Sequence, residues 1–211
     1  ISSDLVLRDG HYEIDFSDFE NKIKQYNVKM FLLCSPHNPI GRVWTKDELD
    51  KIVKICSKYK VFIVSDEIHC DLTYGNSYTP FASISPEIAQ NSITCIAPTK
   101  TFNLAGVQSS NIIVPNDEIR RMVNRGINTD EVAEPNAFAI EATIAAFTKG
   151  EPWLNELIEY LAENKRVVQK FIHNELPSLN LIHSDATYLL WIDCSSITKD
   201  SLEFCKFIRK E

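Results

Sequence analysis

The chain has 211 residues, 24% of them charged, with 22 basic against 29 acidic side chains and a net charge of −7. That acidic balance, with no Lys/Arg-rich run, argues against nucleic acid as a partner, and no apolar run approaches the roughly 20 residues of a membrane span, so no membrane partner is expected. The cysteines (Cys34, Cys56, Cys70, Cys95, Cys194 and Cys205) form no CxxC pair or Cys/His cluster, which points away from a metal site or a disulfide framework and toward reduced thiols in a cytoplasmic protein.

Apolar strand-like runs alternate with helical patterns along the chain. The run VKMFLLCSP (28–36) ends in turn residues. In TKDELDKIVKICSKY (45–59), Leu49, Ile52, Val53 and Cys56 share one helical face. Thr45 and Glu48 have the spacing of a capping box, which sets the start of that helix. VFIVSDE (61–67), SITCIAP (92–98) and VQSSNIIVP (107–115) read as buried strands bounded by turn residues. Alternation of this kind predicts an α/β domain with a mostly parallel sheet. PNAFAIEATIAAFTKG and the long segment that starts at Glu151 and stops before Pro177 read as helices. From about Leu179 short strands follow, TYLLWIDCS (187–195) the clearest, and then a last helix from about Lys199. The expected division is residues 1–150 as part of a large domain and 151–211 as the start of a smaller α+β C-terminal domain. The opening ISSDLVLRDG has neither the basic end nor the apolar stretch of a signal peptide, and it lacks an initiating Met. We expect the chain to start inside a longer gene product.

Open α/β sheets bind ligands at the carboxyl ends of their parallel strands. Three such ends carry polar residues here: SPHNPIGRVW after the first strand, SDEIHCDL after the second and PTKTFNLAG after the third. They offer the amide of Asn38, the carboxylate of Asp66, the imidazole of His69 and the amine of Lys100. Pyridoxal phosphate calls for such a set: a lysine for its Schiff base, a carboxylate at the pyridine nitrogen, and donors near its phenolic oxygen.

On these stretches, NPIG (38–41), SDEIHCDL (65–72) and TKTFNLAG (99–106), the sequence resembles the fold-type I pyridoxal phosphate enzymes of the class I/II aminotransferase superfamily. The spacings, 28 residues from Asn38 to Asp66 and 34 from Asp66 to Lys100, suit that pattern. Within it the motifs look most like the cystathionine β-lyase, or carbon–sulfur lyase, branch of the MalY/PatB/cystalysin kind. The resemblance implies a fold-type I large domain and pyridoxal 5′-phosphate as cofactor. It implies Lys100 as the Schiff-base lysine and Cα-proton base, and Asp66 as partner of the pyridinium nitrogen. Asn38 would bond the phenolic oxygen, His69 would stand where many relatives have a tyrosine doing the same, and Thr99 would lie near the phosphate. It also implies a homodimer in the full-length protein and an amino acid as substrate.

Two positions depart from the aminotransferase pattern. A phosphate-binding serine three residues before the lysine and an arginine eight after it are here Ala97 and Gln108. The lyase branch shares that loss, so the expected reaction is β-elimination from a sulfur-containing amino acid, giving pyruvate, ammonia and a thiol. An aminotransferase is the first alternative, and a regulatory or partner-binding protein that keeps the fold is the second. The remaining phosphate contacts and the arginine for the substrate carboxylate are expected outside these residues, in a protein nearly twice as long, so the chain alone is not expected to turn over efficiently. Blander readings stand beside these: Asp66 as a helix cap, NPIG as an ordinary turn, and His69 as a structural histidine. His37, His173 and His183 read as structural, the acidic face of the 151–175 helix as solvated, and TYLLWID as a core strand of the small domain.

Overall fold

In the computed structural model, which describes residues 1–75 and 78–210, the chain begins with an antiparallel hairpin of β1 (Leu5–Arg8) and β2 (His11–Ile14). Its two-residue turn places Asp9 at φ 48° and Gly10 at φ 78°, the left-handed values that match the twist of a tight hairpin. Helix α1 (Phe16–Tyr26) follows, with the Asp15 carboxylate accepting the amides of Ser17 and Asp18 and with Phe19 and Ile23 buried.

The central sheet runs β3 (Met30–Cys34), β4 (Phe62–Asp66), β5 (Ser92–Ile96), β6 (Asn111–Ile113) in both sequence and space. The first three strands are parallel and β6 is antiparallel to β5. Parallel neighbours need a long crossover. Here α2 (Lys46–Tyr59) joins β3 to β4, and α3 (Pro86–Gln90) leads into β5. The capping box between Thr45 and Glu48 is formed as its spacing predicts, and Lys60 ends α2 in the left-handed conformation.

One sheet face carries the core: Leu33 and Ile63 pack with Phe19, Ile23, Leu49, Ile52 and Cys56. On the opposite face the side chains stay open, with Met30 55% and Leu32 71% exposed. After β5 the short α4 (Pro98–Thr101) carries Lys100, and α5 (Asp117–Thr129), α6 (Ala139–Lys149) and α7 (Glu151–Glu175) follow β6. Gly150 alone separates α6 from α7, because a Cβ there would come within 2.4 Å of the Ala146 carbonyl oxygen and 2.5 Å of the Phe102 ring. The chain closes with β7 (Asn180–Leu181) paired antiparallel to β8 (Ile192–Asp193), and then α8 (Ser201–Ile208).

Two strands are shorter than their sequence predicts. The 107–115 run keeps only Asn111–Ile113, since Ala105–Val107 form a 3-10 turn and Gln108 stands at φ 49°. The 187–195 run keeps only Ile192–Asp193, because Thr187 stands at φ 66° and its backbone is bonded elsewhere. Among the described residues no helix is long and apolar enough to cross a membrane.

Candidate active site

Cys34, Asp66 and Cys95 are successive neighbours across β3, β4 and β5, so the three parallel strands end at one level. The ladder runs one step further, the Ser35 amide donating to the Asp66 carbonyl at 2.9 Å and the Glu67 amide to the Cys95 carbonyl at 2.8 Å. Asp66 closes β4 at this edge, and the loops leaving the edge carry Asn38, His69 and Lys100. Asn38, Asp66 and Lys100 are exposed, Thr99 is half-buried and His69 is buried. Asp66 does act as a local cap: its Oδ1 accepts the Ile68 amide at 3.2 Å, which turns the chain toward His69 while the carboxylate stays at the surface.

The loops are braced from below. Thr101, fully buried beside Lys100, donates its hydroxyl to Asp71 at 3.2 Å, tying the lysine turn to the loop after β4. Glu67 points to the opposite, core side, where it accepts the Ser65 hydroxyl at 2.7 Å, the Phe81 amide at 3.0 Å and the Tyr78 hydroxyl. Burial raises its pKa above the usual carboxylate value. Arg42 braces the Asn38 loop, bonding Glu48 at 2.6 Å and the Tyr12 carbonyl at 2.9 Å while lying 5.0 Å over the Trp44 ring.

The segment 184–188, far along the chain, crosses both loops. The amides of Asp185 and Ala186 donate to the Gly41 carbonyl at 2.8 and 2.9 Å, and the Thr187 amide donates to the Leu72 carbonyl at 2.8 Å. Gly41 stands at φ 68°, and a Cβ there would fall 2.1 Å from Ser184 Oγ. The glycine of NPIG is thus required both by backbone conformation and by close approach. The crossing segment brings the Tyr188 ring edge-on to the His69 ring, with centroids 5.8 Å apart.

His69 is 2% exposed, and among the described residues neither ring nitrogen has a hydrogen-bond partner. Burial lowers its pKa, with Asp66 opposing and Lys100 reinforcing the shift, which favours the neutral ring. A neutral imidazole has one donor and one acceptor, and leaving such groups buried and unpaired costs about 1–3 kcal/mol. The groups open to a bound polar molecule at this edge are the exposed amide of Asn38, carboxylate of Asp66 and amine of Lys100, a set whose chemistry fits pyridoxal phosphate, while the His69 nitrogens lie covered behind them. Cys34 and Cys95 flank Asp66 in the ladder, and burial raises the pKa of both thiols. An open groove of about 430 Å³ runs along this face past Leu32, Val64, Asp66 and Cys95.

The other expected residues fall as follows. Ala97 is buried and Gln108 stands in the left-handed region, the two places that depart from the phosphate-binding pattern. His37 lies edge-on to Trp44 with its pKa lowered by burial, and His183 meets Asp185 at 2.9 Å. His173 is exposed on α7, as are Glu151, Glu156, Glu159 and Glu163. Tyr188 lies in TYLLWID, whose apolar texture predicts a core strand; the sign of the bend before it is the polar SDAT.

The family model for Aminotransferase class I and II matches residues 5–211. The chain is 45% identical over 193 residues to cystathionine beta-lyase PatB of Bacillus subtilis (strain 168), covering 91% of this chain and 50% of that protein. It is 30% identical over 188 residues to protein MalY of Escherichia coli (strain K12), covering 88% and 47%. Crystalline cystalysin from Treponema denticola, which contains a pyridoxal 5′-phosphate cofactor, superposes with a TM-score of 0.95 at 37% identity, covering 99% of this chain and 53% of that one. The chain spans about half the length of these relatives.

Proposed function

The chain belongs to the class I and II aminotransferase family, and from that premise we propose that it contributes the cofactor-binding face of a pyridoxal phosphate-dependent carbon–sulfur lyase. What supports the proposal is the common end of β3, β4 and β5, where Asp66 closes its strand and the loops that follow carry Asn38, His69 and Lys100. The likeness to PatB, MalY and cystalysin supports elimination over transamination.

When bound, pyridoxal phosphate supplies an electron-accepting ring conjugated to the substrate Cα. Lys100 would hold the cofactor through its amine, and its Nζ would take the Cα proton of the substrate. Asp66 holds the positive ring nitrogen by opposite charge. Asn38 and His69 would serve the phenolic oxygen, and Thr99 would help to hold the phosphate. Chemically, the Cα–H and Cβ–S bonds of the substrate break, the sulfur leaves with the bonding electrons and takes a proton, and water completes release of pyruvate and ammonia. L-Cystathionine and cysteine are the proposed substrates. The same reading carries a cytoplasmic homodimer in the full-length protein, and a division of this chain into a large unit, residues 1–150, and the start of a smaller one, 151–211.

The test uses the full-length gene product with pyridoxal phosphate and L-cystathionine, without a keto acid. Pyruvate release that disappears in Lys100→Ala is the expected result. Background pyruvate, together with amino-group transfer that needs a keto acid, would replace the lyase with a transaminase.

A further inference from the structure

We propose that Tyr188 is a positioning residue for His69, delivered to the site by the crossing segment; the proposal rests on the function given above and adds a component to it. Thr187, immediately before Tyr188, is fully buried and β-branched, yet stands at φ 66°, a conformation such a residue holds only when its surroundings enforce it. The enforcing contacts are all present. The Thr187 amide donates to the Leu72 carbonyl at 2.8 Å, its carbonyl accepts the Tyr74 hydroxyl at 2.7 Å, and its hydroxyl accepts the Leu189 amide at 3.1 Å. Thr73 and Ala186 form a bridge just beside it.

What these contacts fix is the direction of the next residue. Tyr188 is itself 42% exposed, so its own burial does not account for the arrangement. Its ring meets the His69 ring at 75°, and among the described residues neither His69 nitrogen has a hydrogen-bond partner. An imidazole buried without hydrogen bonds is held in orientation by packing alone, and Tyr188 supplies an aromatic wall for that packing. Asp66 on β4 and Lys100 on α4 are the charged groups that act on the ring, with opposite signs, and Tyr188 is the titratable group that meets it from the crossing segment.

The experiment follows the titration of His69 by NMR of histidine-labelled full-length protein loaded with pyridoxal phosphate, with the resonance assigned through His69→Gln. Alongside it, the visible absorption of the bound cofactor is recorded for wild type, Tyr188→Phe and Tyr188→Leu. Wild type and Tyr188→Phe are expected to share one midpoint. Tyr188→Leu is expected to move that midpoint and to shift the cofactor band. An unmoved midpoint and band in folded Tyr188→Leu would overturn the proposal, as would a Tyr188→Phe shift as large as that of Tyr188→Leu. Should the leucine variant not fold, cross-relaxation between His69 and Tyr188 ring protons in wild type decides, its absence being the negative result. If wild type shows no visible cofactor band, the cofactor reading fails, while the His69 titration still judges the positioning.

Discussion

Replacing Gly41 with alanine would force a side chain into the contact between the Asn38 loop and the crossing segment. The added Cβ would lie 2.1 Å from Ser184 Oγ and 2.6 Å from the Ala186 carbonyl oxygen, on a backbone at φ 68°. The left-handed conformation alone costs a residue with a Cβ about 1–2 kcal/mol. Relieving the clash requires the segment to retreat, which sacrifices the hydrogen bonds from Asp185 and Ala186 to the Gly41 carbonyl, about 1 kcal/mol each. The expected loss is therefore roughly 3–4 kcal/mol, read by urea denaturation of the full-length protein at matched concentration. Gly10→Ala is the internal reference: it shares the positive φ, at 78°, but a Cβ there meets nothing within 4 Å, so only the conformational cost of about 1–2 kcal/mol remains. Equal losses for the two variants would refute the docking argument, and a Gly41→Ala loss below about 1 kcal/mol would refute the conformational argument as well.

Three further outcomes are expected. Burial raises the folded pKa of Glu67 above 4.5, so the folded state holds its proton more tightly than the unfolded one; stability should fall as pH rises through that interval, and Glu67→Gln should flatten this component in denaturation curves across pH 4–8. Lys165, half-buried, over the Tyr74 ring and bonded to the Ser184 carbonyl, has its pKa lowered to about 8 by burial. The unfolded chain then binds more protons between about 8 and 10.5, so wild type should gain stability relative to Lys165→Met as pH rises through that window. Gly150→Ala should drive the α6–α7 junction against Phe102, two residues past Lys100, costing about 1–3 kcal/mol in a thermal melt and loosening retained cofactor.

The parallel core was legible because its signals are local. Thr45 and Glu48 state the start of α2 outright, and the apolar runs at β3, β4 and β5 end in turn residues within one or two positions of the observed ends. That Asn38, Asp66, His69 and Lys100 fall at the sheet's carboxyl edge was legible for the same reason, since Asp66 ends a readable strand and the other three lie a few residues beyond one. The crossing segment was not. Its conformation at Thr187 is set by Leu72 and Tyr74, more than a hundred positions earlier, and no periodicity in TYLLWID records them. The edge role of β6 was hidden likewise, because the reversal of its direction follows from the turn at Ala105–Gln108 rather than from the residues of the strand.

The crossing segment also sets a schedule for synthesis. Val43, beside the Asn38 loop, has its amide near the Asp185 carboxylate, a contact spanning 142 positions. At translation rates of about 5–20 residues per second, that separation corresponds to roughly 7–28 s between the emergence of the two partners. During that interval β3, β4 and the helices over them can settle, while the Gly41 and Leu72 carbonyls wait with water as their partner. The loops that carry Asn38, Asp66, His69 and Lys100 are thus made well before the segment that braces them.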